Sequence, residues 1–340
     1  KAGAIDKDWE LIGSTFHRWV RESNVKLKLG TESQNLAVIS SHFPFFSKAY
    51  RHLLTASRTY TKGWEAVFYN AHNEFTWQNT VLLAPLVVTD DDEIVRREMA
   101  ATATYLDIWI MRRTVNYIRV GYSSTSYAMY SLCKDIRNKP LDELVGILAK
   151  RLAEDEVTFA GSQSKGRSGI EGLGLNQFSR RYIYHLLARL TAYTEVGAGM
   201  PDLFDKYVDR STKNPCDIEH IWANNFAPYV NQFTSEQEFQ DWRNHVAGLL
   251  LLPADVNRSY QDKPFKDKAP HYAQHNLYAA SLTASVYAHR PKFLAFKDAM
   301  SLPFKPYADY DKQAQMERRE LVSALVSKVW SVDRLQEFLQ

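Results

Sequence analysis

Cysteine is nearly absent. The 340 residues contain two, Cys133 and Cys216, far apart and in no C-x-x-C pair. A disulfide framework and a four-cysteine zinc site are therefore excluded, and the expected compartment is reducing, hence cytoplasmic. Long hydrophobic runs are missing as well. Stretches such as "VLLAPLVV" at 81–88 have core length, too short to span a bilayer. The N-terminus reads as no signal peptide, so no membrane partner is expected. Charge of one sign is lacking too. A net charge of +3 gives no global basic field, and any nucleic-acid footprint must be local. No internal repeat or low-complexity tract occurs. The chain begins without Met, at "KAGAIDKDW", and is expected to be a fragment of a longer protein.

What is present is a core-forming composition: 45% hydrophobic residues, with 19 Tyr, 17 Phe and 8 Trp. Rings at helical spacing, among them Trp9, Trp19, Trp64, Trp77 and Trp109, are expected to fill core rather than stack on bases. From residue 5 to about 158 the apolar positions recur with helical period. "DKDWELIGSTFHRWVRES" and "FSKAYRHLLTASRTY" follow the pattern, and "DDDEIVRREMAATATYLDIWIMRRTVNYIRV" has an acidic start that suits a helix N-terminus. "PLDELVGILAKRLAED" opens with a helix-starting proline. The arginines on these helices read as solvated faces. The stretch "AGSQSKGRSGIEGLG" at 160–174 is rich in Gly and Ser and predicts a mobile loop or linker; with Lys165 and Arg167 it either contacts phosphates or is simply disordered. Near residue 205 the texture changes to short runs. "CDIEHI" after Asn214–Pro215 and "AGLLLLP" ending at Pro253 read as strands, and "QAQMERRELVSALVSKVWSVDRLQEFL" as a final helix.

Glu219 and His220 lie side by side between two isoleucines, where ionisable groups need partners. In a strand they point to opposite faces, unless a bend at the strand end brings both to one site. After the second strand come Asp255, Asn257 and a lysine-rich segment. A strand pair carrying Glu-His, followed by a helix carrying Asn, can hold one hard divalent ion between Glu and Asn oxygens, with the histidine deprotonating a water beside it. Arg258, Lys263, Lys266 and Lys268 would supply positive charge for phosphates. The competing reading is structural: a hydrogen-bonded core histidine and an asparagine in a turn.

"IEHIWANN" followed by "HVAGLLLLPADVNRSYQDKPFKDKAPHY" resembles the HNH nuclease half of GmrSD-type modification-dependent restriction endonucleases, roughly over residues 210–290. In that family a Glu-His-Ile segment precedes a Gly-Asn-Leu-x-Leu-Leu strand, an Asn and a Lys-Pro-Phe-x-x-Lys stretch. The helical region with "NQFSRRYIYHLLARL" resembles the family's middle. SspE-like phosphorothioate-sensing phage-defence effectors share the layout. The resemblance implies His220 as general base and Glu219 and Asn257 on the metal side, with Asp217 a further neighbour. The implied ion is Mg²⁺ or Mn²⁺, and the implied substrate is double-stranded DNA, nicked or cut in antiviral restriction. Two departures stand out: Gly248 replaces the family's asparagine and Ala223 a proline. His245 is the candidate for the supporting role that the missing asparagine would have. The family's Asp-Gly-Gln-Gln-Arg nucleotide motif does not occur, so an upstream nucleotide-sensing domain is expected to lie outside this fragment.

The expected architecture is mainly α: a helical domain over 1–205, a small ββα-metal (HNH) nuclease domain over 206–300, and a helical segment over 301–340 packing on the rest. The expected function is a metal-dependent DNA endonuclease or nickase. The alternative is a degenerate HNH fold that binds DNA or a partner without cutting.

Overall fold

The computed structural model describes residues 8–340. It is mainly helical, with a single two-stranded sheet among the described residues. The start of the first expected helix, Asp6–Lys7, lies outside the described residues. Two compact units interleave along the chain. The first takes the described residues up to Met111, Arg119–Asp155 and Val332–Gln340; the second takes Arg112–Ile118 and Glu156–Ser331. The boundaries expected at about 205 and 300 both fall inside the second unit.

The first unit is built on helices. Helix α1 (Phe43–Arg58) has a proline in its first turn and buries Ala49, Leu53 and Ala56 along one face. Helix α2 (Asp92–Thr114) begins with Asp92 and Glu93 and ends with Arg112 and Arg113, charges that complement its macrodipole. Its interior is buried almost all round, from Met99 through Met111, as befits a central helix. Helix α3 (Tyr122–Ile136) contributes Met129 and Leu132. Helix α4 (Leu141–Ala153) starts after Pro140, buries Leu144, Val145, Leu148 and Leu152, and packs on the 3-10 segment Val332–Leu339.

The second unit opens on the glycine-rich stretch, which is ordered, contrary to the mobile loop or linker expected. Thr158 pairs with Gly161 and Ser162 with Arg167 in short antiparallel bridges. The Glu156 carboxylate accepts hydrogen bonds from the Ser162 hydroxyl at 2.8 Å and the Ser164 amide at 2.8 Å. Gly169 has φ +59°, and a Cβ there would collide with the Phe159 carbonyl. The glycines thus permit tight turns that the carboxylate pins.

Helix α5 (Arg180–Gly197) is the core helix of this unit, burying Ile183, Leu186, Leu187 and Leu190. Strand β1 (Cys216–His220) follows. A long connection then leads to helix α6 (Glu236–Asn244), capped by Ser235, whose hydroxyl accepts from the Glu238 amide at 3.1 Å. Strand β2 (Leu249–Pro253) pairs antiparallel with β1, setting His220 opposite Leu249 and Glu219 opposite Leu250. Helix α7 (Ala254–Tyr260) begins directly after Pro253 and packs on both strands. Helix α8 (Phe265–Tyr272) and helix α9 (Lys312–Val329) complete the parts that shape the site. The final helix stops at Val329, short of the expected 339, and the chain continues as the 3-10 segment of the first unit. Both strand expectations hold to within a few residues, because β-branched and leucine-rich runs bounded by proline form short buried strands.

The connection between β1 and α6 is fixed by aromatic packing. Trp222 is buried against Tyr229, Phe233, Phe239 and Tyr310, with ring centroids 5.4–5.9 Å apart. This cluster delivers the end of α6 back to the end of β1.

Candidate active site

The strand geometry sends Glu219 and His220 to different helices. His220 is half-buried, and its Nε2 lies 2.9 Å from Oδ1 of Asn244 at the end of α6. An amide oxygen only accepts, so Nε2 carries the hydrogen and Nδ1 keeps its lone pair. Nδ1 has no protein hydrogen bond among the described residues. Burial, reinforced by the positive charges of Arg243, Lys268 and Arg180, pushes the His220 pKa down to about 4. The imidazole is therefore neutral at pH 7.

Glu219 faces the interior and is 5% exposed. Its Oε1 accepts hydrogen bonds from Lys268 Nζ at 2.7 Å and from the Tyr272 hydroxyl at 3.0 Å. Lys268 also donates to the His220 carbonyl at 2.7 Å. Lys268 was expected at the surface among the phosphate-binding cations. It is instead 1% exposed, and burial lowers its pKa against the pull of Glu219. The cause is helical phase: Phe265, Lys268 and Tyr272 are the buried residues of α8 and share one face. That spacing was readable, as a lysine standing in an apolar stripe.

Asn257 projects from α7 and donates through Nδ2 to the Ile218 carbonyl at 3.1 Å, so it clamps the helix to β1. Its Oδ1 has no donor among the described residues. Asp217 pairs with Arg210, whose Nη1 is 3.3 Å from Oδ1. Among the described residues no group of three or more His, Cys, Asp or Glu could hold a metal ion. The donor set expected for a hard cation is of the right chemical kind. In the arrangement seen it does not fit one, since each carboxylate already holds a basic side chain.

Arg258 and Lys263 are exposed, with no ion pair among the described residues, while exposed Lys266 pairs with Asp309 at 3.0 Å. His245, expected in a supporting role, has no hydrogen bond to His220 among the described residues. The chain is extended at this residue (φ −62°, ψ 141°), which turns Asn244 toward His220. His245 itself points inward, 5% exposed, its Nδ1 accepting from the Ala247 amide at 3.1 Å. The partner of His220 is therefore Asn244, a residue that only the return of α6 to β1 could identify. Arg180 and Arg243 likewise went unassigned, although "FSRRY" marks a basic helix start.

Burial pushes the His245 pKa down to about 3. Between that value and the ordinary 6.5 the unfolded chain binds a proton that the folded chain refuses. Stability is therefore expected to fall as pH drops through this window, by on the order of 1.4 kcal/mol per pH unit, and this contribution is flat above it. Urea denaturation of wild type and His245→Asn across the window checks this; parallel pH dependences would refute it.

Gly248 stands beside a fixed amide. A Cβ added there would lie 2.9 Å from Gln315 Nε2 and 3.2 Å from the Arg243 carbonyl. Gln315 is fully buried, donating to the Trp242 carbonyl at 3.0 Å and accepting from the Tyr310 hydroxyl at 2.7 Å. Its amide braces the 242–248 segment from the space that a side chain at 248 would need. Arg318 Nε adds a hydrogen bond to the Ala247 carbonyl at 2.8 Å. Gly248→Asn is accordingly expected to destabilise the fold by about 1–3 kcal/mol through overpacking. A denaturation midpoint at or above that of wild type would contradict this.

This site lies in a recognisable class. Residues 170–321 match the family model of the GmrSD restriction endonucleases, C-terminal domain. The match takes in α5, both strands, α7, α8 and the start of α9, and covers less than half of the chain. Residues 170–321 are thus similar to the C-terminal domain of GmrSD restriction endonucleases. The match suggests a nuclease of a restriction system, with DNA as the implied substrate and divalent-metal use. No curated protein matches the chain, and no solved structure does. No helix among the described residues is long and apolar enough to cross a membrane.

Proposed function

We propose that this chain hydrolyses DNA phosphodiester bonds as an HNH-type endonuclease or nickase of antiviral restriction, with His220 as general base. The observation that carries the reading is the His220–Asn244 pair. Asn244 fixes the tautomer, leaving Nδ1 of a neutral imidazole as the proton acceptor. A water held at Nδ1 loses its proton to the ring as its oxygen attacks phosphorus, the bond from phosphorus to the 3′ oxygen breaks, and the departing 3′ oxygen takes a proton from solvent. Arg243 and Arg180, which add to the effect of burial in depressing the His220 pKa, are the cations that would attract the phosphate. Binding of that anion offsets their repulsion of a proton on His220 and raises its basicity toward the useful range. Exposed Arg258 and Lys263 extend the basic surface along the backbone of double-stranded DNA, and Lys266 joins them when Asp309 releases it.

The Mg²⁺ or Mn²⁺ expected on Glu219, Asn257 and Asp217 has no vacant carboxylate in this arrangement, and no step is routed through it. The neutralised acids favour one other reading, a DNA-binding module of the same fold that does not cut. Plasmid nicking with Mg²⁺ or Mn²⁺, with and without EDTA, separates the two. Cleavage that EDTA abolishes supports the nuclease; DNA retention without nicking supports the module.

A further inference from the structure

Asn244 sets the tautomer of His220, and the Asn244 peptide is itself held from outside α6. Its carbonyl accepts from the Leu175 amide at 2.7 Å, and the Val246 amide donates to the Leu173 carbonyl at 3.0 Å. Residues 173–175 therefore lie antiparallel to 244–246, with Gly174 opposite His245. That segment is gripped in turn by one side chain. The Gly174 amide donates to the Tyr117 hydroxyl at 2.8 Å. The hydroxyl donates to the Gly174 carbonyl at 3.1 Å, with the Gly172 carbonyl 3.3 Å away. The buried Ser179 hydroxyl is a second grip, donating to the same Gly174 carbonyl at 2.7 Å. Tyr117 is strained in this place. It follows helix α2 at φ 56°, the left-handed position where helix ends favour glycine. A non-glycine residue persists there only when its surroundings over-determine it.

We propose that Tyr117 is a positioning residue for the hydrolysis: its hydroxyl sets the 173–175 segment, the segment sets the Asn244 peptide, and Asn244 aligns the His220 ring. The role rests on the proposed nuclease function for its purpose, though not for its first readout. Each link in this chain is directional. Asn244 ends α6, where the last carbonyls lack partners within the helix, and the Leu175 amide supplies the missing donor. A hydrogen bond weakens steeply as its angle degrades, so the Asn244 side chain holds the Nε2 hydrogen only while its peptide stays in register with Leu175. Without the Tyr117 hydroxyl the Gly174 amide loses its acceptor, and the segment is freer to shift. Once Asn244 Oδ1 no longer faces Nε2, nothing favours the hydrogen on that nitrogen over Nδ1. Part of the His220 population then carries its hydrogen on Nδ1 and has no lone pair there to take a proton from water.

The test follows the ring itself. Nitrogen NMR spectra of the full chain with isotope-labelled histidine, taken at neutral pH and with His220 assigned by His220→Gln, report which nitrogen carries the hydrogen. In wild type Nε2 is expected to be protonated and Nδ1 bare. In Tyr117→Phe, which deletes only the hydroxyl, both nitrogens are expected to move toward the averaged values of a mixed tautomer. Plasmid nicking by this variant is expected to lose about ten- to a hundredfold in kcat with KM little changed. Adding Tyr117→Phe to Asn244→Ala is expected to produce no further shift. Wild-type His220 signals in folded Tyr117→Phe overturn the proposal. So does a shift that persists in the Asn244→Ala background, or a shift that leaves the kcat of an active wild type unchanged. Should Tyr117→Phe not fold, Ser179→Ala decides, because it loosens the same segment: moved His220 signals uphold the proposal and wild-type signals overturn it. If the wild type does not nick and the signals move in Tyr117→Phe, the nuclease reading alone fails; nicking with unmoved signals sinks the Tyr117 role alone.

Discussion

His220→Ala is expected to lower plasmid nicking by about a hundred- to ten-thousand-fold, the range for loss of a general base. The substitution removes Nδ1, the nitrogen left free when Asn244 Oδ1 takes the hydrogen on Nε2. It should leave the fold largely intact. His220 is half-buried at the end of β1, and the strand register depends on backbone pairing and the leucines of β2. DNA retention should survive, since phosphate contacts come from arginine and lysine side chains. Nicking rates, filter binding and circular dichroism on the same preparation are the measurements. A variant that nicks at the wild-type rate would remove His220 from catalysis and leave the non-cutting module as the better account.

The second large effect is on stability. Glu219→Ala strips the partner from a lysine with no access to water and from the Tyr272 hydroxyl. Breaking a buried pair by deleting one member costs about 3–5 kcal/mol, because the remaining charge is uncompensated. For a unit of this size the thermal midpoint should fall by on the order of 10 °C. Glu219→Leu with Lys268→Met together should recover most of the loss, since replacing both charges by apolar groups removes the desolvation penalty as well as the attraction. Calorimetry of the single and double variants decides this. A Glu219→Ala midpoint within a degree or so of wild type would mean that the pair is not the fixture that its burial indicates.

How much of this was legible beforehand divides along a physical line. The helices α1, α2, α4, α5 and α9 and the two strands are visible in the sequence, because their periods and end signals involve residues a few positions apart. The Glu-His pair in a strand and the asparagine after the second strand are visible for the same reason, and so is the resemblance to the GmrSD nuclease half. What each side chain meets was decided elsewhere. The partner of Glu219 is Lys268, the partner of His220 is Asn244, and the brace beside Gly248 is Gln315. Each is distant in the chain and brought near by tertiary packing: side chains of α8 and of the end of α6 reach β1, and α9 packs on the 246–248 segment that precedes β2. Local pattern fixes which face of an element is apolar. Only the tertiary arrangement determines which charge is buried against which, because the cost of leaving a buried charge unpaired is levied on the assembled core and not on any stretch of the chain.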